Sequence, residues 1–138
     1  MKRLVLAVAI AVVAALAVSI AALGSPQIQR AATVNVRLKE FKVLPTPKSV
    51  RAGRVTFVAR NVGKIEHELV VIRTNRKPGS LPVSGGKASE RGSVGEVADL
   101  APGETGRVTL RLRPGKYVLI CNVRGHYQAG QYVGFVVR

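Results

Sequence analysis

The chain has 138 residues, a length that allows one domain of ordinary size with a short appendage and excludes a multidomain enzyme. Its 22 Lys and Arg residues outnumber 7 Asp and Glu, and the net charge of +15 predicts anionic partners or surfaces. The hydrophobic content of 47% excludes an intrinsically disordered chain, and the single cysteine excludes an intramolecular disulfide. We therefore expect a packed domain that is stabilised by a core or by a bound ligand.

An uncharged apolar segment, residues 4–23, follows two basic residues at the N-terminus. This arrangement is typical of a secretory signal peptide, but the segment is also long enough to span a bilayer as one helix. Both interpretations place the rest of the chain in the periplasm or outside the cell. The sequence thus predicts a signal peptide or membrane anchor at 1–24, a linker at 25–32 and a domain at 33–138, whose net charge is +13.

Short strands separated by turns are predicted throughout the domain. Val34, Val36 and Leu38 alternate with polar residues, the period-two pattern of a strand with one buried face. Residues 75–93 are rich in Pro and Gly, which predicts a long exposed connection with room for one helical turn. The pattern indicates an all-β domain, an antiparallel sandwich or barrel. The other predicted strands span residues 54–61, 67–74, 108–112, 116–123 and 132–138.

Potential metal ligands recur in the loop between the last two predicted strands. Cys121, His126 and Gln131 are spaced five residues apart, and two glycines favour the bends that would let their side chains converge. His67, the only other histidine, begins another predicted strand. Two histidines and one cysteine, with a weak axial oxygen or sulfur donor, are the ligand set of a trigonal blue-copper electron-transfer site.

The domain resembles the bacterial cupredoxins, which are small exported type 1 copper proteins. The resemblance implies a Greek-key β-sandwich of seven or eight strands that binds one copper ion through His67, Cys121 and His126. The position usually held by an axial methionine falls on Gln131, which is similar to the stellacyanin-like sites. The matching stretches are residues 51–57, 61–63, 67–71 and 114–131.

Each candidate ligand also has a purely structural interpretation. Cys121 follows an apolar strand, where an isolated cysteine is usually a small buried hydrophobic residue. Gln131 could bond backbone groups instead, which would leave Gln128 or a backbone carbonyl as the axial donor. Glu66 and Glu68 flank the first histidine and could orient its ring, although such a pair is commonly solvated. The coincidence of both histidines with the only cysteine favours copper.

The expected function is the shuttling of single electrons through Cu(I) and Cu(II), without enzymatic activity. An envelope copper carrier or buffer is the first alternative, but carriers commonly use Met-rich or His-rich clusters, and the only methionine is the initiator. A metal-free basic adhesion module is the second. A structural zinc site and a Cys–His thiol hydrolase fit the residues less well, because each lacks a further group that its chemistry needs.

The charge and the loop together suggest where partners bind. We expect an acidic redox protein or an anionic membrane surface as partner, a monomeric state, and no nucleic acid, since the domain is exported.

The edge of His126, framed by Val123, Arg124 and Tyr127, is the expected electron port. Many relatives have proline where this chain has Arg124, a difference expected to loosen the loop. The remaining cations either keep the surface soluble or form a docking surface.

Overall fold

A computed structural model describes residues 30–138, so the predicted signal peptide or anchor lies outside the described residues. In this part of the chain, no helix is long and apolar enough to cross a membrane. Eleven strands and one short 3-10 turn, Pro78–Ser80, follow one another. The strands are β1 (Ala32–Lys39), β2 (Lys42–Thr46), β3 (Ser49–Val50), β4 (Gly53–Asn61), β5 (His67–Arg73), β6 (Val83–Ser84), β7 (Lys87–Ala88), β8 (Ser93–Leu100), β9 (Thr105–Leu112), β10 (Gly115–Ile120) and β11 (Tyr132–Val137).

Two sheets form the predicted all-β sandwich. Sheet A has the order β2-β1-β4-β9, sheet B has the order β3-β11-β10-β5-β8, and β6 and β7 form a separate hairpin. Eight of the strands have five or more residues, in line with the expected seven or eight. The expectation of purely antiparallel pairing is wrong, because β1 pairs with β4 and β3 with β11 in parallel. The chain leaves sheet A after β2 and returns at β4, so β4 runs in the direction of β1.

The main core lies between the two sheets and is built by the predicted alternation. Val34, Val36 and Leu38 are buried on β1, while Thr33, Asn35 and Arg37 between them are exposed. Phe57 of sheet A meets Phe135 of sheet B edge to face, with ring centroids 5.6 Å apart. Such aromatic pairs add to the burial of apolar area that holds two sheets together.

A second apolar cluster covers the outer face of sheet B, and it corrects the prediction of an exposed connection at 75–93. Leu81 and Ala88 of that connection are buried there against β5 and β10, together with Tyr127. Both strands carry continuous apolar runs, which is typical of strands buried on both faces. Both sheets and both clusters are formed by residues within 32–137 of the described part of the chain.

Candidate metal centre

The three strong candidate ligands meet at one end of sheet B. His67 is the first residue of β5, and Cys121 directly follows β10, the strand that pairs with β5. Sγ of Cys121 lies 3.7 Å from Nδ1 of His67 and 3.4 Å from Nδ1 of His126. All three side chains are buried, and their ligand atoms lie within 4.8 Å of one another. The spacing seen in the sequence therefore does produce a convergent cluster.

Backbone hydrogen bonds fold the loop between β10 and β11, which we call the ligand loop, so that its candidate ligands face inward. The N–H of Cys121 donates to the carbonyl of Gln131 at 3.0 Å, which closes the loop, and the N–H of Gln131 donates to the carbonyl of His126 at 3.1 Å. Gly125 and Gly130 have φ angles of +81° and +100°. L side chains rarely adopt this region, so glycine meets a backbone requirement at both bends.

Gln131 lies beside the cluster, as predicted for an axial donor, whereas Gln128 is exposed. Nε2 of Gln131 is 3.1 Å from Nδ1 of His67, and Oε1 is buried without a hydrogen-bond partner. A half-turn of the side-chain amide exchanges its oxygen and nitrogen, so the oxygen can take the place beside the imidazole. In that orientation the oxygen would be available as an axial donor to a metal ion at the cluster.

The protonation equilibria of the ligands follow from their burial. Burial raises the pKa of the Cys121 thiol, although the backbone N–H of Glu68 donates to Sγ at 3.4 Å and opposes that shift. A bound metal ion would be needed to hold this sulfur as a thiolate at neutral pH. Burial also lowers the pKa of His67 and of His126, which favours the neutral imidazoles that bind metals.

The sequence analysis missed Glu40, a carboxylate in the turn between β1 and β2. Its Oε1 accepts the backbone N–H groups of Lys64 at 2.6 Å and Ile65 at 3.0 Å, and it lies 3.4 Å from Nε2 of His67. The N–H of Lys64 is the main reason that the pKa of Glu40 is lowered to about 2. Glu40 is therefore charged at neutral pH and faces the side of the imidazole away from the cluster.

The expected acceptors for His67 were the two glutamates beside it in sequence. Within residues 30–138, however, Glu40 has the only carboxylate within 4.0 Å of that imidazole. Glu66 is exposed, and Glu68 contributes its backbone N–H to the cysteine. Glu68 follows His67 in β5, and successive residues of a strand point to opposite faces, so its side chain is poorly placed to contact the His67 ring.

No protein-family model matches the sequence, and no curated protein matches it significantly. Solved structures do match it. Auracyanin B is 26% identical over 78% of this chain and 89% of its own, with a TM-score of 0.62. Auracyanin A, a "blue" copper protein from Chloroflexus aurantiacus, is 20% identical over 79% of this chain and 100% of its own, with a TM-score of 0.56. Rusticyanin from Thiobacillus ferrooxidans is 16% identical over 79% of each chain, with a TM-score of 0.58.

The chain has the cupredoxin fold. This confirms the resemblance inferred from the sequence. Two buried asparagines, which the sequence analysis did not single out, hold the cupredoxin loops around the cluster. Asn61 ends β4 and donates through Nδ2 to the carbonyls of Ile65 at 2.7 Å and Leu100 at 2.8 Å. Its Oδ1 accepts the N–H of Gly63 at 2.9 Å, so one side chain fixes the turn that leads to His67.

Asn122 fixes the ligand loop through side-chain hydrogen bonds, as Asn61 fixes the turn before His67. Its Oδ1 accepts the N–H of Ala88 at 2.7 Å, and its Nδ2 donates to the carbonyl of Ala88 at 3.0 Å and to Oε1 of Glu90 at 2.7 Å. Asn122 directly follows Cys121, so these bonds tie the cysteine to the β6–β7 hairpin. A polar residue at the end of an apolar strand was the only sequence signal for this role.

Arg124 holds the ligand loop, contrary to the expectation that it would loosen it. Its Nη1 donates to the carbonyl of Gly85, and its aliphatic stem lies against Gly86. The N–H of Gly125 also donates to the carbonyl of Gly86 at 2.7 Å. Gly86 leaves room for this close approach, because a side chain there would clash with the stem of Arg124.

The surface near His126 differs in part from the predicted frame. Phe41 packs edge to face on the His126 ring, with centroids 5.2 Å apart, and is itself 38% exposed. Tyr127 is instead buried in the second cluster, where its hydroxyl accepts the N–H of Leu81 and donates to the carbonyl of Pro78. The aromatic residue at the surface therefore comes from the β1–β2 turn.

Proposed function

We propose that the domain is a type 1 copper protein that transfers single electrons and has no enzymatic activity. One observation carries this proposal: a thiol and two imidazoles converge within 4.8 Å beside a buried amide oxygen that lacks a partner. The fold shared with auracyanin A, a "blue" copper protein, supports it.

The residues present suit copper in both oxidation states. Thiolate favours Cu(I), imidazole binds either state, and a distant axial oxygen makes only a weak bond. When bound, copper would supply the one-electron redox couple, and the residues to hold it would be His67, Cys121, His126 and Gln131. The chain's own part is to fix these donors through the hydrogen bonds of the ligand loop, so that little moves when an electron arrives or leaves.

Zinc fits this donor set less well. Structural zinc sites use four strong ligands. In the described residues, the cluster holds no fourth His, Cys, Asp or Glu, and the carboxylate of Glu40 contacts His67 at Nε2, on the other side of the ring. A copper carrier is also less well supported, because ligand exchange needs access to the metal and all three strong candidate ligands are buried.

The surface above His126 is the proposed site of electron exchange. Phe41, Val62 and Ile65 are exposed apolar residues, and each belongs to a turn at the metal end of the sandwich. Arg124 and Lys64 lie on loops at the same end. A partner with a matching apolar patch and acidic rim would fit here. The apolar segment at residues 4–23 supports export of the domain, as either a cleaved or an anchored form.

The visible absorption spectrum after addition of Cu(II) tests the proposal. One equivalent of Cu(II) should give an intense thiolate-to-copper charge-transfer band, because Cys121 would bind the ion directly. Cys121→Ser should remove the colour, and His67→Ala should disrupt it, although the two residues are 54 positions apart. Gln128→Ala is the matched control and should keep the band. A colourless wild type that binds zinc as firmly as copper would contradict the proposal.

A further inference from the structure

The charges of the domain are separated along the strand axis. All seven carboxylate side chains of the chain lie at the metal end or no farther from it than the middle of sheet B. Glu90 contacts the asparagine after Cys121, and Glu96 lies opposite Val70, midway along β5. The others are Glu40, Glu66, Glu68, Asp99 and Glu104, which lie at or beside the turns of the metal end.

The opposite end of the sandwich carries arginines without any acidic side chain. Arg54 and Arg111 face each other across β4 and β9, Arg30 and Arg51 line one shallow cavity with Arg54, and Arg51 lines another with Arg138. We call these five residues the arginine pole. All five are exposed.

The arginine pole contains an unfavourable pair of like charges on neighbouring strands. Like charges directly opposite each other on neighbouring strands are destabilising, and Arg54 faces Arg111 in this way. Moreover, no Lys or Arg in residues 30–138 has a carboxylate within 4.0 Å. An unfavourable pairing that no neighbouring carboxylate offsets points to a role outside folding.

We propose that the arginine pole binds the anionic headgroups of a lipid bilayer. The chain enters β1 at Ala32, which lies opposite Val55, beside Arg54. The apolar segment ends at residue 23, and the eight residues between it and Ala32 can span at most about 28 Å. A retained anchor would therefore hold this end of the domain next to the membrane, where each basic residue strengthens binding by about fivefold.

Bilayer binding at the pole would direct the candidate metal centre away from the membrane. The cluster lies where β5 begins and β10 ends, whereas the pole lies where β4 begins and β9 and β11 end. The His126 surface would then face soluble partners. This inference does not depend on copper.

Cosedimentation of the metal-free domain, residues 30–138, with lipid vesicles tests the inference. We expect binding to phosphatidylcholine vesicles that contain phosphatidylglycerol, no binding to pure phosphatidylcholine, and loss of binding when salt rises from about 0.05 to about 0.5 M. The pole variant replaces Arg51, Arg54, Arg111 and Arg138 by Gln and should weaken binding by about a hundredfold or more. The same four positions changed to Lys should retain binding, which separates charge from folding.

The matched control removes the same number of positive charges from the metal end, by replacing Lys42, Arg60, Lys64 and Lys87 with Gln. It should weaken binding by less than about tenfold, since these residues would face away from the bilayer. Equal weakening by both variants would show that only net charge matters and would overturn the proposal. If the pole variant lost binding to soluble polyglutamate but kept vesicle binding, the pole would serve an acidic polypeptide and the proposal would be wrong.

Discussion

Oε1 of Glu40 lies 3.4 Å from Nε2 of His67 and also accepts the backbone N–H groups of Lys64 and Ile65. One carboxylate thus contacts the outer nitrogen of a candidate ligand and fixes the loop that leads to that ligand. Nε2 of His67 has no hydrogen-bond partner of standard geometry, so the carboxylate acts on this imidazole as a nearby negative charge.

Replacement of Glu40 should change the redox properties of the copper form. Glu40→Gln should raise the reduction potential by some tens of millivolts, because a negative charge near the metal favours Cu(II) over Cu(I). Voltammetry measures the change. Glu66→Gln removes the same charge from an exposed residue next to His67 in sequence and should have a smaller effect. Equal shifts in both variants would assign the effect to charge alone, without a role for the contact.

Gln131 should set the potential from the axial side. An amide oxygen is a harder donor than a thioether and stabilises Cu(II) more, so Gln131→Met should raise the potential. Gln128→Met is the control, because Gln128 is exposed on the same loop. An unchanged or lower potential in Gln131→Met would remove this residue from the coordination sphere.

Asn122 should matter for stability through the bonds that it makes with the β6–β7 hairpin. Asn122→Ala leaves the buried N–H and carbonyl of Ala88 without these partners and should lower the free energy of unfolding by about 1–3 kcal/mol. Denaturant unfolding of the metal-free domain measures it. Asn75→Ala, at an exposed site, should change stability by less than about 0.5 kcal/mol. A similar loss in both variants would show that the Asn122 network contributes little.

Arg124 should affect encounter with an acidic redox partner. Electron transfer to such a partner should slow as salt rises, since the Debye length falls from about 30 Å at 0.01 M to about 10 Å at 0.1 M. Arg124→Glu should lower the association rate in stopped-flow experiments, whereas Arg124→Lys should preserve most of it. The absorption spectrum shows whether the loop stays intact. Rates that do not depend on salt, with an acidic and with a basic partner, would leave the charge no role in encounter.

Alternation of apolar and polar residues was enough to predict several strands. Local spacing was enough to predict which candidate ligands of the last loop come together. Cys121, His126 and Gln131 belong to one closed loop, so their convergence follows from turns within eleven residues. The strand β8 was missed, because it lies at the edge of sheet B and only two of its eight residues are buried. Such a strand carries little apolar periodicity to detect.

Glu40 could not be found in the same way. Its partner lies 27 positions along the chain on the other sheet, and only the packing of β1 and β5 brings the two together. Likewise, the apolar cluster on the outer face of sheet B could not be predicted, because it forms only where residues 75–93 fold back onto that sheet. Continuous apolar runs such as those of β5 and β10 are typical of strands covered on both faces, but they do not say which segment supplies the cover.

The candidate ligands come from β5, β10 and the loop before β11, which are neighbours in sheet B, whereas Glu40 comes from sheet A. The candidate ligands are thus positioned by strand pairing within one sheet, whereas the carboxylate is carried by a turn of the other sheet. A change in that turn would alter the distance from carboxylate to imidazole and leave the three candidate ligands in place. Substitutions in the β1–β2 turn could thus adjust the driving force for electron exchange without altering the geometry on which fast exchange depends.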